Sequence, residues 1–242
     1  MLNIEIVLKL NFNPTEKHLA DIENWLIEEW NNSGSGFYSN WSMIPKAFRD
    51  KRLNIITEND YAIGFVVFRA SDLDVEIDIA EIKPSERKRG IAKKLIDGTL
   101  DILKQNGILV AKLYCQPENS EKFWKKVGFK NFPKFIDDSQ IYMFKPLVET
   151  LKSTEKTDGN STIKLWNCGT HQADKKNEKW IWNLNFKADN ETLIRPIIFP
   201  VSRDWHTELT LNGEKLKSIK VKYLRIDLCD YPGFMIIRKV SQ

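Results

Sequence analysis

The sequence predicts an α/β domain built on a mixed central sheet flanked by helices, followed by a smaller all-β domain, a sandwich or an open barrel. Three observations predict it. Over residues 1–148 apolar positions switch between period two and helical spacing in the order β-α-α-β-β-β-α-β-α-β, so a sheet must be covered by helices. Residues 149–161 are polar, with one Leu and one Gly, and read as a linker. Residues 162–242 carry short alternating runs separated by turn residues, with no helical stretch.

Taken in order, Leu2–Asn11 alternates as a strand with Ile4, Ile6, Leu8 and Leu10 on one face. Pro14 and Thr15 start a helix carrying Leu19, Ile22, Leu26 and Trp30 at helical spacing, stopped by Asn31–Gly36. A short helix is predicted over Ile44–Lys51, its first turn helped by Pro45. Leu53–Thr57 and Tyr61–Arg69 form a hairpin around Glu58-Asn59-Asp60, and Leu73–Ile82 is the next strand. A helix then places Ile91, Leu95, Leu100 and Leu103 on one face and stops near Asn106-Gly107. Ile108–Cys115 is a strand, Ser120–Val127 a short helix and Gln140–Phe144 a last strand. In the second domain the predicted strands are Thr162–Trp166, Trp180–Phe186, Leu193–Phe199, Glu208–Leu211, Ser218–Leu224 and Phe234–Val240, with a hairpin turn at Asn212-Gly213.

At 242 residues, 42% hydrophobic with 8 Trp and 13 Phe, the chain can bury sizeable cores. Cys115, Cys168 and Cys229 are too few for a disulfide framework, and neither they nor His18, His171 and His206 have metal-ligand spacing. No signal-peptide pattern and no apolar run near the roughly 20 residues of a membrane span is seen, so a cytoplasmic protein without membrane attachment is expected. The net charge of +4 sits in residues 149–242, where 16 Lys+Arg face 12 Asp+Glu; the remaining 21 and 21 cancel over residues 1–148. That bias is compatible with an acidic partner and too small to require one.

The most informative stretch is Ile82-Lys83-Pro84-Ser85-Glu86-Arg87-Lys88-Arg89-Gly90-Ile91-Ala92-Lys93-Lys94. A strand ends, a proline turn follows, and a basic loop opens into a helix. The first N–H groups of a helix lack intrahelical partners and carry partial positive charge, which suits an anion. Gly90 and Ala92 allow close approach to the backbone, and Arg87, Lys88, Arg89, Lys93 and Lys94 surround it with positive charge. About thirty residues later comes Phe123-Trp124-Lys125-Lys126-Val127-Gly128-Phe129.

The pattern Arg87-x-x-Gly90-x-Ala92 after a strand resembles the pyrophosphate loop of the GNAT superfamily, the acyl-CoA-dependent N-acyltransferases, and the second segment resembles that family's aromatic-aromatic-x-Lys-x-Gly-Phe signature. The resemblance spans about residues 1–148; residues 162–242 resemble no family. It implies acetyl-CoA as co-substrate, with Arg87, Lys88, Arg89, Gly90, Ile91 and Ala92 on the diphosphate. The backbone of Glu81 and Ile82 and the side chain of Asn119 would meet the pantetheine arm. A backbone N–H of the same strand edge would polarise the thioester carbonyl. Asn119 reads equally well as a helix N-cap.

Acyl transfer to an amine needs a base, because an amine with a pKa of ~10 is protonated at neutral pH. Asp74, Glu76, Asp78 and Glu81 all lie on one strand, and strict alternation puts Glu76, Asp78 and Ala80 on one face, with Val75, Ile77, Ile79 and Glu81 on the other. The resemblance puts a glutamate base eleven positions before the loop motif, which is Glu76; Asp78 and Glu81 are the alternatives. Trp124 stands where many members have a tyrosine acid, and an indole N–H does not release its proton. Tyr114 and Cys115 are candidates for that role, and core packing is the plainer reading of Trp124.

Trp25, Trp30, Phe37 and Trp41 flank the region that shapes acceptor pockets in this family, with Glu28 and Glu29 able to attract an amine; core packing is their plainer role. His206 reads as a turn or strand-edge residue. The expected function is transfer of an acetyl group to a primary amine of a small molecule or peptide by direct attack in a ternary complex. The competing readings are a non-catalytic acyl-CoA sensor or interaction protein and a toxin-like acetylation of aminoacyl-tRNA. Nucleic acid is otherwise disfavoured as a partner of the Trp- and Lys-containing second domain, whose further roles include a homodimer contact.

Overall fold

A computed structural model describes residues 7–133, 140–224 and 233–240. The Leu2–Ile6 part of the first predicted strand and Cys229 lie outside the described residues. The chain divides into two compact units, one reaching to Leu147 and one covering Val148–Gln242.

The first unit runs β1 (Leu8–Asn11), α1 (Glu16–Ser33), α2 (Met43–Arg49), β2 (Leu53–Glu58), β3 (Tyr61–Ala70), β4 (Asp74–Ile82), α3 (Ile91–Gln105), β5 (Val110–Tyr114), α4 (Glu121–Lys126), β6 (Lys130–Asn131) and β7 (Tyr142–Pro146). Among the described residues these strands form a seven-stranded sheet in the order β1-β2-β3-β4-β5-β7-β6. The β4–β5 pair is parallel and the other pairings are antiparallel. This is the α/β mixed sheet flanked by helices that the periodicity predicts. Each face has its own core. Val66, Phe68, Val75 and Ile77 pack with Ile91, Leu95, Leu100 and Leu103 of α3 and Trp124 of α4. Ile55, Phe65, Val67 and Ile79 pack with Ile22, Trp25 and Leu26 of α1 and Ile44 of α2.

Local chemistry explains the element ends. The Thr15 N–H donates to His18 Nδ1 at 3.0 Å, and the Thr15 side chain is bonded reciprocally, closing a capping box that starts α1. His18 Nε2 lies 3.2 Å from Asp60, so this histidine is a capping group. At the far end Gly34 takes φ 64° and its N–H donates to Trp30 O at 2.8 Å, which closes α1. Asn59 and Asp60 both have positive φ, as a tight β2–β3 hairpin requires. The two-residue strand β6 is too short to leave a periodic signal.

The second unit contains β8 (Thr162–Trp166), α5 (Thr170–Ala173), β9 (Trp180–Asn183), β10 (Thr192–Pro200), β11 (His206–Leu211), β12 (Glu214–Lys220) and β13 (Phe234–Lys239). The described strands form a four-stranded sheet, β12-β11-β8-β9, and a two-stranded sheet, β10-β13, with no barrel closure described. Both sheets feed one core that includes Ile163, Trp182, Ile197, Leu209 and Met235. Asn212 and Gly213 form the predicted turn with φ 51° and 84°. Two expectations are corrected. The one-turn α5 interrupts what reads as helix-free sequence, because four residues are too few for an apolar stripe. The strand predicted at Ser218–Leu224 is β12, which starts at Glu214 and gives way to a 3₁₀ turn at Val221–Tyr223.

Residues 149–161, read as a linker, make ordered bonds inside the second unit. The Leu151 N–H donates to Pro196 O at 2.9 Å, and the Thr154 N–H to Ile181 O at 2.7 Å. His206, 4% exposed, is held between Thr170 Oγ1 at 3.2 Å and Ser218 Oγ at 3.3 Å, and burial pulls its pKa down. Among the described residues no helix is long and apolar enough to cross a membrane.

Candidate active site

β4 and β5 pair only from Asp74↔Val110 to Ile77↔Leu113. Beyond that point β4 continues to Ile82, whereas β5 ends at Tyr114 and Cys115 bonds to Ile141. The two strands part and leave a cleft of about 430 Å³ in the first unit. Its walls are Ile77–Ile82 of β4, Ala92, Leu95 and Ile96 of α3, Leu113 and Tyr114 of β5, and Phe123 and Trp124 of α4, with Phe37, Arg87, Gln116, Pro117, Asn119 and Ser120.

A β-bulge decides which β4 groups face this cleft. Val67 pairs with Ile79 and Phe68 with Ile77, so Asp78 is the extra residue. Strict alternation therefore fails at Asp78, and the predicted faces are corrected. Ile77 packs toward α3 while Ile79 packs toward α1 and α2. Ala80 and Ile82 lie with the α3 cluster, and Glu81 points the other way, toward Glu29 of α1. The Lys83 N–H donates to Ile63 O on β3 at 2.8 Å; by alternation, Ala80 and Ile82 turn their N–H groups to the edge that β5 has left.

Glu76, the expected base, pairs with Arg69 at 3.4 Å and does not line the cleft; it lies on the stretch where β5 still covers β4. Asp78 lines the cleft but is gripped by Arg69, with contacts of 2.8–3.0 Å. Glu81 lines it too. Burial pushes the Glu81 carboxyl up and the charge of Glu29 adds to the rise, against the opposing pull of the Ile82 N–H and Arg87. Ile82 does not offer a free edge: its N–H donates to Glu81 Oε1 at 2.9 Å and its carbonyl accepts from Arg87 Nε at 3.0 Å. Ala80, which has no side chain to draw notice in a sequence, is left as the open backbone position.

The loop differs from its expected electrostatics. Arg87 turns inward, with Nη2 2.6 Å from Glu29 and 3.0 Å from Glu81. Arg89 is paired with Glu58 at 2.7 Å and with Glu86, and Lys93 with Asp97. Carboxylates thus offset much of the basic run. The backbone remains suited to an anion. Gly90 has φ 78°, no side chain caps α3, and a Cβ built on Gly90 meets nothing within 4 Å. The first-turn N–H groups of Ile91, Ala92 and Lys93 have no intrahelical carbonyl to bond. A diphosphate fits that geometry, which offers backbone N–H groups more than unpaired side-chain charge. Lys88 precedes the helix with φ 67°, part of the same turn.

Asn119 lines the cleft and does not cap α4, whose N-cap position is Ser120. Trp124 is 7% exposed and packs edge-on against Phe123 at 5.1 Å and Phe129 at 5.2 Å, so it is a core residue with one flank on the cleft. Tyr114 lines the cleft and is half-exposed, whereas Cys115 is buried beside Ser120 and does not line it. Of the aromatic group near α1, Phe37 reaches the cleft. Trp25 is a core residue and donates to Ala62 O at 3.0 Å, and Trp41 stacks on Tyr38.

Residues 19–129 match the family model described as acetyltransferase (GNAT) family. No curated protein matches the chain. Among solved structures, Ard1 from Thermoplasma volcanium is similar at 18% identity, over 59% of this chain and 99% of that one, with a TM-score of 0.47. The PaiA N-acetyltransferase from Thermoplasma acidophilum, in complex with coenzyme A, is similar at 19% identity over 58% and 99%, with a TM-score of 0.45. GCN5 from Tetrahymena is similar at 18% identity over 60% and 97%, with a TM-score of 0.43. The stretch that matches the GNAT acetyltransferase family model, residues 19–129, takes in α3 and its loop, the parting of β4 from β5, and the Phe123–Phe129 signature.

Proposed function

We propose that this chain transfers an acetyl group from acetyl-CoA to a primary amine of a small molecule or peptide, by direct attack within a ternary complex. The observation that carries the reading is the single cleft running from the parting of β4 and β5 to the uncapped N-terminus of α3. Acetyl-CoA, when bound, would supply the activated acyl thioester. The backbone of Gly90–Lys93 binds the diphosphate and Asn119 the pantetheine arm. The Ala80 N–H, fixed by the sheet, donates toward the thioester carbonyl. Burial of Cys115 outside the cleft favours direct attack over an acyl-enzyme.

Glu81 is the carboxylate we assign to receive the amine proton. It borders the cleft next to Ala80, and its raised pKa suits proton acceptance near neutral pH better than an ordinary carboxylate. The amine lone pair forms the C–N bond, the C–S bond breaks, and the second nitrogen proton passes to the departing thiolate.

Glu81→Gln should lower turnover by ~100-fold with coenzyme A affinity retained. Glu76→Gln should leave turnover nearly unchanged, and the reverse ranking would return the base role to Glu76. The direct test is acetyl-CoA calorimetry followed by thiol release against a panel of primary amines. The second reading, a non-catalytic acyl-CoA-binding module, is favoured by Trp124 standing where a hydroxyl acid would be expected. Tight binding without thiol release from any amine would support it.

A further inference from the structure

Glu29 is a buried charge for which the reaction as described has no use. Its side chain is 10% exposed. One oxygen accepts from Arg87 Nη2 at 2.6 Å, and the other, Oε2, is buried with no hydrogen-bond partner. An unpaired buried carboxylate oxygen is unfavourable, so the surrounding structure must enforce its place. Here the backbone does so. Gly36, with φ 108°, passes so close that a Cβ would lie 2.9 Å from Oε2. The same arginine nitrogen reaches Glu81 at 3.0 Å, so two carboxylates share one guanidinium and the cluster carries one excess negative charge.

We propose that Glu29 is a positioning residue for acyl transfer: acting through Arg87, it fixes the place and the protonation of Glu81. The inference rests on Glu81 being the proton acceptor. With Glu29 ionised, Arg87 is divided between two partners and neutralises Glu81 incompletely, and like-charge repulsion adds to the effect. The charged groups facing Glu81 are Arg87 from the loop and Glu29 from α1; the nearby Asp78 is held by Arg69 at 2.8 Å. The burial-driven rise of Glu81 and the added push from Glu29 agree with this arrangement. The cluster also ties the helix on the acceptor side, α1, to the first residue of the diphosphate loop.

The test is to follow the Glu81 carboxyl carbon by NMR titration in the full chain, with Glu81→Gln identifying its resonance. In the wild type Glu81 should titrate above the other glutamates. In Glu29→Gln, Arg87 is left to Glu81 alone and the repulsion is gone, so its pKa should fall. The acidic limb of the thiol-release profile should move to lower pH with it, while KM for acetyl-CoA holds. Glu29→Asp should restore part of the wild-type profile. Gly36→Ala, which leaves every charge in place, should shift the titration in the same direction by displacing Glu29. An unshifted Glu81 titration in Glu29→Gln, or a change in melting alone, would overturn the proposal. Failure of every amine to release thiol would instead sink the acetyltransferase reading and the proton-transfer role with it, so the two failures are distinguishable.

Discussion

Trp25→Ala should destabilise the first unit by about 3–5 kcal/mol, the range for a large aromatic removed from a packed core. Trp25 is 1% exposed, lies 5.8 Å from the Phe65 ring, and sits among Ile22, Leu26, Ile44 and Ile55. Its removal opens a cavity between α1 and the sheet and also strands the Ala62 carbonyl, which accepts from Nε1 at 3.0 Å. Trp25→Phe separates these contributions: it keeps much of the volume, loses the hydrogen bond, and should cost clearly less. Denaturant unfolding read on the first unit is the measurement, since two compact units need not unfold in one transition. A loss below about 1 kcal/mol for the alanine variant would mean that the α1 face is not a close-packed core.

Gly90→Val should separate folding from cofactor binding. A β-branched residue at φ 78° is strained by about 1–2 kcal/mol. Apart from its own chain neighbours, the new Cβ would meet nothing within 4 Å, so packing inside the unit hardly changes. The added methyls instead occupy the space in front of the α3 N-terminus, where a diphosphate would contact the backbone. Acetyl-CoA affinity should drop by ~100-fold, equivalent to about 2.7 kcal/mol, well beyond the stability change. Calorimetry at a temperature where the variant remains folded tests this. Unchanged affinity would remove the loop from the diphosphate site.

The order of elements in the first unit was legible because its strands and helices are long enough to repeat an apolar period and are bounded by strong signals: Thr15 and Gly34 around α1, Asn59-Asp60 in the first hairpin, and Gly90 before α3. The loop that opens α3 was legible for the same reason, as a glycine followed by an amphipathic helix. The charge environment was not. A basic run in sequence does not reveal that Glu29 and Glu58, far away along the chain, fold back onto Arg87 and Arg89. The side-chain faces of β4 beyond Asp78 were misread because a one-residue bulge leaves no compositional mark, and alternation was carried across it. Ala80 went unnoticed because what it presents to the cleft is backbone, which residue type does not mark. In the second unit, Asn212-Gly213 and the apolar runs located most strands, while the ordered path of residues 149–161 depends on backbone bonds that their polar side chains do not announce.

The bulge at Asp78 acts on the strand much as a single inserted letter acts on a reading frame. Upstream of it the even-numbered side chains belong to the α1 face; downstream, the odd-numbered ones do. If β4 instead alternated strictly through Asp78, without the bulge, Glu81 would turn toward the apolar α3 core and Ile82 toward Glu29. One extra residue thus lets an apolar strand deliver a carboxylate to the cleft while its neighbours stay buried. Changes of length within β4 should therefore be far less forgiving than changes of side chain.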